Sequence, residues 1–430
     1  MSASIIIPTW NGLRWIADCL HSIERQHQPG AEIIVVDNAS TDGTPDRVAG
    51  DFPQVTLLRL DRNYGFAGGI NRGLVVAHGE VLILLNQDVV LRDGCLQALC
   101  ARLAQSGPSI VGCKLLYPDG QTIQHAGGII HYPRAESEHR GYGQLDDGRW
   151  DEVTPVDYVT GAVFAFNRQV LDALGRFDEG FFPAYFEETD YCFRARAAGF
   201  AVVCEPRAVA IHYESQSHDA ESEAHHQAAQ NGRLRFVLKN YHRDQILKDF
   251  IPAEMKYARE LPATLSFTRR VLAQAYFYTL LSLPELRPWM IAEQNKSVRS
   301  DGLIPAIEAE LAELYVTALS TTLEPLSLAE VPWEVAEQPF ISQTPLVGRW
   351  IARFREAWNS VSTKWYVRSI LQQQNDYNRM QVELLSACTR RMIEHEQRML
   401  IQDREIITLT CRLNAALERI EQLERQPTDR

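Results

Sequence analysis

The chain has no Cys-x-x-Cys pair and no compact cysteine–histidine run with zinc-ligand spacing, although eight cysteines stand at positions 19, 95, 100, 113, 192, 204, 388 and 411. A zinc module and a disulfide framework are both excluded, and free buried thiols in a reducing compartment are expected. Positive charge is also short. The formal net charge is -12 over 430 residues, which argues against general nucleic-acid binding because that needs a basic footprint. Long apolar runs are missing too. The longest, Val271 to Leu283, is interrupted by Gln274 and is too short to cross a bilayer. Met1 is followed almost at once by an apolar β run, so no signal peptide is expected. These absences together predict a cytoplasmic protein without a transmembrane segment, with a peripheral place at the inner face of the membrane left open. The N-terminal turn Pro8-Thr9-Trp10-Asn11-Gly12 lacks a basic glycine-rich phosphate loop, which disfavours nucleotidyl transfer.

What the chain does have is length and apolar content. At 430 residues and 45% hydrophobic it calls for two or three units with a sizeable core. The first hundred residues alternate β runs with helical patterns. Strands are expected at Ser4–Ile7, Glu32–Asp37, Val55–Leu60 and Glu80–Asn86, and helices at Leu13–Ile23 and Ala67–Ala77. Near-continuous Ile/Val/Leu runs mark strands covered on both faces, hence a mostly parallel sheet flanked by helices. Sheets of this kind bind ligands outside the carboxyl ends of their strands. Polar residues gather at those ends: Pro8-Thr9-Trp10-Asn11, Asp37-Asn38 and Asn86-Gln87-Asp88. That placement predicts a nucleotide crevice.

A second signal lies in the run Phe181-Phe182-Pro183-Ala184-Tyr185-Phe186-Glu187-Glu188-Thr189-Asp190-Tyr191-Cys192. Three acids sit among aromatic residues rather than in a solvated charge run. Apolar walls disfavour ionised carboxylates and raise their pKa, which suits a proton acceptor.

These pieces together resemble the family 2 glycosyltransferases with a GT-A fold, particularly the rhamnosyltransferase-like bacterial enzymes. The resemblance covers about residues 3 to 240. It rests on Ile5 to Gly12, Ile33 to Thr44 and Asn63-Tyr64-Gly65-Phe66-Ala67-Gly68-Gly69-Ile70-Asn71-Arg72-Gly73, in that order and spacing. The resemblance implies a donor-binding set of Pro8, Thr9, Asn11, Asp37, Asn38, Gly69, Asn71, Asn86 and Gln87, with Thr9 and Asp37 meeting base and ribose. An Asx-turn or helix cap is the plain alternative for Asp37. For the glycines at 65, 68, 69 and 73, simple turn chemistry competes with close approach to the donor.

Asn86-Gln87-Asp88 stands where the family carries its DxD motif, so Asp88 becomes the main ligand of Mg²⁺ or Mn²⁺ and one negative charge is missing. A hard cation prefers such oxygen ligands. His212 matches the family's late histidine, which completes the metal or diphosphate site. Glu187-Glu188-Thr189-Asp190 matches the ED-type motif. By position Glu188 is the base, Glu187 the runner-up, and Asp190 a residue that caps or orients the following helix. Arg194 and Arg196 read as counterions or as solvated helix residues, and Thr160-Gly161-Ala162 resembles the acceptor-side segment.

The implied activity is inverting, metal-dependent transfer of a sugar, with rhamnose favoured, from a dTDP- or UDP-sugar to a glycan or lipid-linked hydroxyl in cell-envelope polysaccharide synthesis. The alternative is a catalytically weak GT-A scaffold that organises a polysaccharide-assembly complex. The scaffold reading draws on the C-terminal region. There Leu385, Met392, Met399, Ile406, Leu413 and Ile420 are each seven apart, predicting a coiled coil and homo-oligomer. The expected organisation is a GT-A domain over 1–245, a helical extension over 246–317, a linker over 318–345 and a C-terminal helical segment over 346–430.

Overall fold

The computed structural model describes residues 2–28, 30–213, 222–262, 265–294 and 303–320, together with scattered helical positions between 372 and 409. The chain opens with β1 (Ala3–Thr9), α1 (Ile16–Glu24), β2 (Glu32–Asp37), α2 (Thr44–Asp51), β3 (Thr56–Arg59), α3 (Gly65–Val76) and β4 (Val81–Leu85). β1 lies between β2 and β4 and runs parallel to both, and β3 extends the sheet beyond β2. Alternation explains why these strands are apolar throughout. Ile5 and Ile7 enter a layer with Ile16, Leu20 and Leu99, while Ile6 enters the opposite layer with Ile70, Leu74 and Tyr191. Successive side chains face opposite sides, so a strand with helices on both faces needs no polar face.

The second half supplies β5 (Val89–Leu91), α4 (Cys95–Ser106), β6 (Ser109–Leu116), β7 (Ile123–His125), a hairpin of β8 (Gly128–His131) and β9 (Glu136–His139), β10 (Thr154–Pro155), β11 (Val163–Asn167), α5 (Arg168–Leu174), α6 (Glu187–Ala197) and β12 (Ala201–His212). The main path of the sheet is β10-β12-β6-β11-β4-β1-β2-β3. β11 is inserted antiparallel between β4 and β6, so a parallel half is continued by a mixed half, giving an α/β fold with a central sheet between helices. β5 pairs antiparallel with the end of β12, opposing His212 to Val89.

α7 (Glu223–Asn240), α8 (Ile251–Glu260), α9 (Ser266–Gln294) and α10 (Leu303–Ser320) follow. The described residues up to position 319 fall in one compact unit. A buried ion cluster ties these helices to the hairpin. Glu254, fully buried on α8, accepts from Arg233 of α7 at 3.1 Å, from Arg134 of the hairpin turn at 2.8 Å and from the Tyr276 hydroxyl of α9 at 2.8 Å. The linker expected over 318–345 begins inside α10, which runs to Ser320; the rest of it and the coiled coil expected beyond lie outside the described residues, apart from isolated helical positions. Among these, the seam residue Ile406 is exposed.

Candidate active site

The polar strand ends divide into side chains spent on holding loops and side chains left open. Asn11 belongs to the first group: its Oδ1 accepts from Thr41 N at 2.9 Å and its N–H donates to Ser40 Oγ at 2.8 Å, stitching the β1 loop to the β2 loop. Gln87 does the same between β4 and β1, accepting at Oε1 from the Thr9 hydroxyl and from Trp10 N. Thr9 is thereby committed as well. Asn38 accepts from Tyr64 N at 3.3 Å and donates to Gly65 O at 3.2 Å. Asn71 is spent entirely on the segment after α5: Nδ2 donates to Phe177 O and Glu179 Oε1, and Oδ1 accepts from Phe177 N. Its amide therefore holds a loop rather than facing a ligand.

The glycines resolve in a third way. Gly65 takes φ +74° at the start of α3, a turn role. Gly69 instead lets the helix lie on the sheet. A Cβ there would stand 2.8 Å from Asn38 Nδ2 and 3.2 Å from Pro8 Cβ.

Four buried oxygens among the predicted residues have no partner: Asp37 Oδ1, Asn86 Oδ1, Glu187 Oε2 and Glu188 Oε2. Buried polar atoms are almost always paired, so each orphan asks for a ligand. Asp37 spends one oxygen on the turn that its sequence position allows. Oδ2 accepts from Ser40 N at 3.2 Å as an Asx-type turn, while Oδ1 stays open.

Asp88 and His212 meet although 124 positions separate them, because β5 pairs with β12 and Tyr213 N donates to Asp88 O at 3.0 Å. His212 Nε2 stands 3.4 Å from Asp88 Oδ1 and 3.5 Å from Asn86 Nδ2. On its other side Nδ1 lies 2.8 Å from Gln124 Oε1. An amide oxygen accepts only, so Nδ1 donates to it; in the neutral imidazole Nε2 then presents the lone pair that a metal-binding histidine needs. Among the described residues no group of three His, Cys, Asp or Glu side chains gathers to hold an ion. The set here is one carboxylate and one imidazole nitrogen, with the Asn86 amide turning its nitrogen toward the histidine, which suits a hard divalent cation that keeps phosphate or water in its shell.

The acid run starts α6. Phe186 at its N-cap and Tyr185 before it both have positive φ, 71° and 84°. Strained residues of this kind persist only where the surroundings hold them. Here Phe66 N donates to Pro183 O at 2.9 Å, and on the other side Gly232 of α7 brings no Cβ, which would stand 2.5 Å from Tyr185 O. Since Gly65 and Tyr64 also bond Asn38, the acid loop abuts the end of β2 that carries Asp37.

Glu187 is 3% exposed, and burial followed by the neighbouring Glu188 charge pushes its carboxyl well up. Glu188 is half-buried. Burial raises its carboxyl to about 7, against hydrogen bonds from the backbone of α6 and of Gly161. Gly161 thus touches the acid pair. Arg196 pairs with Asp157, and Arg194 Nε donates to Asp190 Oδ2 at 2.9 Å. Asp190 is wholly buried and also accepts from Lys239 and Asn240 of α7. Lys239, Asn240 and Asp178 had no sequence signal, because a single polar residue in a helix or a loop reads as solvated. His225 of α7 meets Tyr185 OH at 2.7 Å.

Residues 4–175 match the family described as Glycosyl transferase family 2. An uncharacterized protein, y4gI, of Sinorhizobium fredii is 33% identical over 235 residues, covering 51% of this chain but 25% of that protein. The N-acetylglucosaminyl-diphospho-decaprenol L-rhamnosyltransferase of Mycobacterium tuberculosis is 26% identical over 249 residues, covering 52% of this chain and 79% of that protein. Among solved structures, GalNAc-T7 with UDP, GalNAc and Mn²⁺ aligns with a TM-score of 0.45 at 17% identity, over 55% of this chain and 47% of that one.

Proposed function

We propose, from the match of residues 4–175 to Glycosyl transferase family 2, that the protein is an inverting, divalent-metal-dependent glycosyltransferase that moves a sugar from a nucleoside-diphosphate donor to a hydroxyl of a glycan or lipid-linked acceptor. The observation that carries the reading is the set of partnerless buried oxygens. They fall on Asp37, Asn86, Glu187 and Glu188, residues that donor binding and proton transfer each require.

In this reading Asp37 Oδ1 accepts from the ribose or the base. Asp88 and His212 Nε2 would hold the cation, with Asn86 or a water in support, and the cation when bound neutralises the departing diphosphate. Glu188 takes the proton of the acceptor hydroxyl as its oxygen bonds to the anomeric carbon. The bond from that carbon to the diphosphate oxygen breaks, and the nucleoside diphosphate leaves with the electron pair. A single displacement of this kind inverts the anomeric centre. Glu188 is favoured over Glu187 as base because its side chain is the less deeply buried of the two, and a carboxyl at about 7 matches the pH at which it must both accept and release a proton. Rhamnose is favoured as the sugar because a relative that this chain covers over most of its length is named for rhamnosyl transfer.

The test is a screen of dTDP-rhamnose, UDP-GlcNAc and GDP-mannose for Mn²⁺-dependent thermal shift and release of the nucleoside diphosphate. Metal-dependent release from one of them is expected. Binding without any release, with or without a glycan acceptor, would favour the scaffold alternative.

A further inference from the structure

We propose that Lys239 is the positioning residue of the acid pair: its buried ammonium, shared between Asp178 and Asp190, fixes the first turn of α6 and so presents Glu187 and Glu188 to the crevice. The catalytic consequence rests on the reading of Glu188 as base, but the geometry does not.

Lysine is almost never fully buried unless paired, and the Lys239 side chain is 2% exposed. Its Nζ donates to Asp178 Oδ2 at 3.0 Å and to Asp190 Oδ2 at 2.9 Å. Phe181 and Trp289 cover it, with ring centroids 5.7 and 4.3 Å from Nζ. Asp190 lies three residues after Glu187 on α6, one turn along the same face. It is held by Lys239, by Arg194 Nε at 2.9 Å and by Asn240 Nδ2 at 2.9 Å. Asp178 is held by Arg235 at 3.0 Å and by Gly180 N at 2.9 Å. Next to it, Glu179 accepts from Asn71 and Arg72 of α3. Lys239 therefore stands where α7, the 178–181 segment and the base-bearing helix meet.

Its role is separable from folding. Without it, Asp178 keeps Arg235 and Asp190 keeps Arg194 and Asn240, so neither carboxylate is stranded. The charge balance around Asp190 does change. The groups facing the acid pair are Asp190 and Cys192 on α6, and Tyr158 and the Gly161 N–H from the segment before β11. Asp190 already disfavours ionisation of Glu187, and removing its ammonium partner exposes more of that charge to the pair.

The test uses the full chain and needs no substrate. The titration midpoint of the Glu187–Glu188 pair is read from carboxyl ¹³C shifts in wild type, Lys239→Met, Asp190→Asn and the double variant. Lys239→Met is expected to raise the midpoint by roughly half a pH unit or more, Asp190→Asn to lower it, and the double variant to return it close to wild type. Amide exchange over 187–192 should quicken about tenfold in Lys239→Met, while β1 and α3 stay protected. Unchanged midpoints and unchanged exchange in folded Lys239→Met and Asp190→Asn overturn the positioning role. A normal turnover in Glu188→Gln overturns the base assignment instead, and leaves these two readouts standing.

Discussion

Replacing Glu188 by Gln separates the chemistry of the site from its cost. The Glu188 carboxyl is raised from its ordinary 4.5 to about 7 by burial, so the folded protein holds that proton more tightly than the unfolded chain. The sign follows from linkage. The stabilisation is fully present below pH 4.5 and is lost as pH rises through about 7. At 1.36 kcal/mol per pH unit, the interval from 4.5 to about 7 sets a ceiling of about 3 kcal/mol. Gln keeps the shape and has no charge to desolvate. Glu188→Gln should therefore match wild type near pH 4 and exceed it at pH 8, by an amount approaching that ceiling. The Glu187 carboxyl should titrate lower in the variant, since the second cause of its raised position is the Glu188 charge. Turnover should fall by roughly 10²-fold or more, the scale of a general base, with donor affinity barely changed. Urea melts at pH 4 and pH 8 and donor turnover at pH 7.5 read the two effects. A variant no more stable than wild type at pH 8 refutes the burial argument. Near-normal transfer, with Glu187→Gln inactive, hands the role to Glu187.

Asp88→Ala should abolish metal-dependent donor binding in a thermal-shift titration with Mn²⁺ while the fold persists. Wild-type activity that survives EDTA would sink the metal reading. Arg233→Met removes a guanidinium buried against Glu254 and should cost about 3 kcal/mol in a urea melt at pH 7. Salt bridges to Arg233 and Arg134 hold the Glu254 carboxyl down at about 2 against its burial. Its stabilisation is present above pH 4.5 and lost as pH falls towards 2, so the penalty should shrink in acid; a penalty that is equal at pH 3 contradicts this. Truncation after residue 345 should leave donor binding intact and abolish self-association measured by light scattering. The reason is that the six apolar residues from Leu385 to Ile420 at seven-residue spacing are the expected oligomerising seam. Monomers from both chains at micromolar concentration would exclude pairing through that seam.

The sequence by itself determined the parallel half of the sheet. Ile5-Ile6-Ile7, Ile33-Ile34-Val35-Val36 and Val81 to Leu85 admit no polar face, and only strands covered on both sides tolerate that. It also determined the acid pair, since Glu187 and Glu188 among Phe and Tyr imply desolvation before any coordinate is known. It could not decide direction or commitment. The apolar run Val163–Asn167 is equally compatible with either strand direction, and its antiparallel insertion follows from which neighbours it meets. Asn11, Asn38, Asn71 and Gln87 look on paper like Asp37: polar residues near strand ends and α3. An amide can bond a loop as readily as a ligand, and only the approach of the 9–10, 40–41, 64–65 and 177–179 segments spends those four while leaving Asp37 Oδ1 open. Distance along the chain hides the rest. Lys239 lies 49 positions from Asp190, and His212 lies 124 from Asp88. Each pair is made by a packing event, α7 against α6 and β12 against β5, that no local pattern encodes.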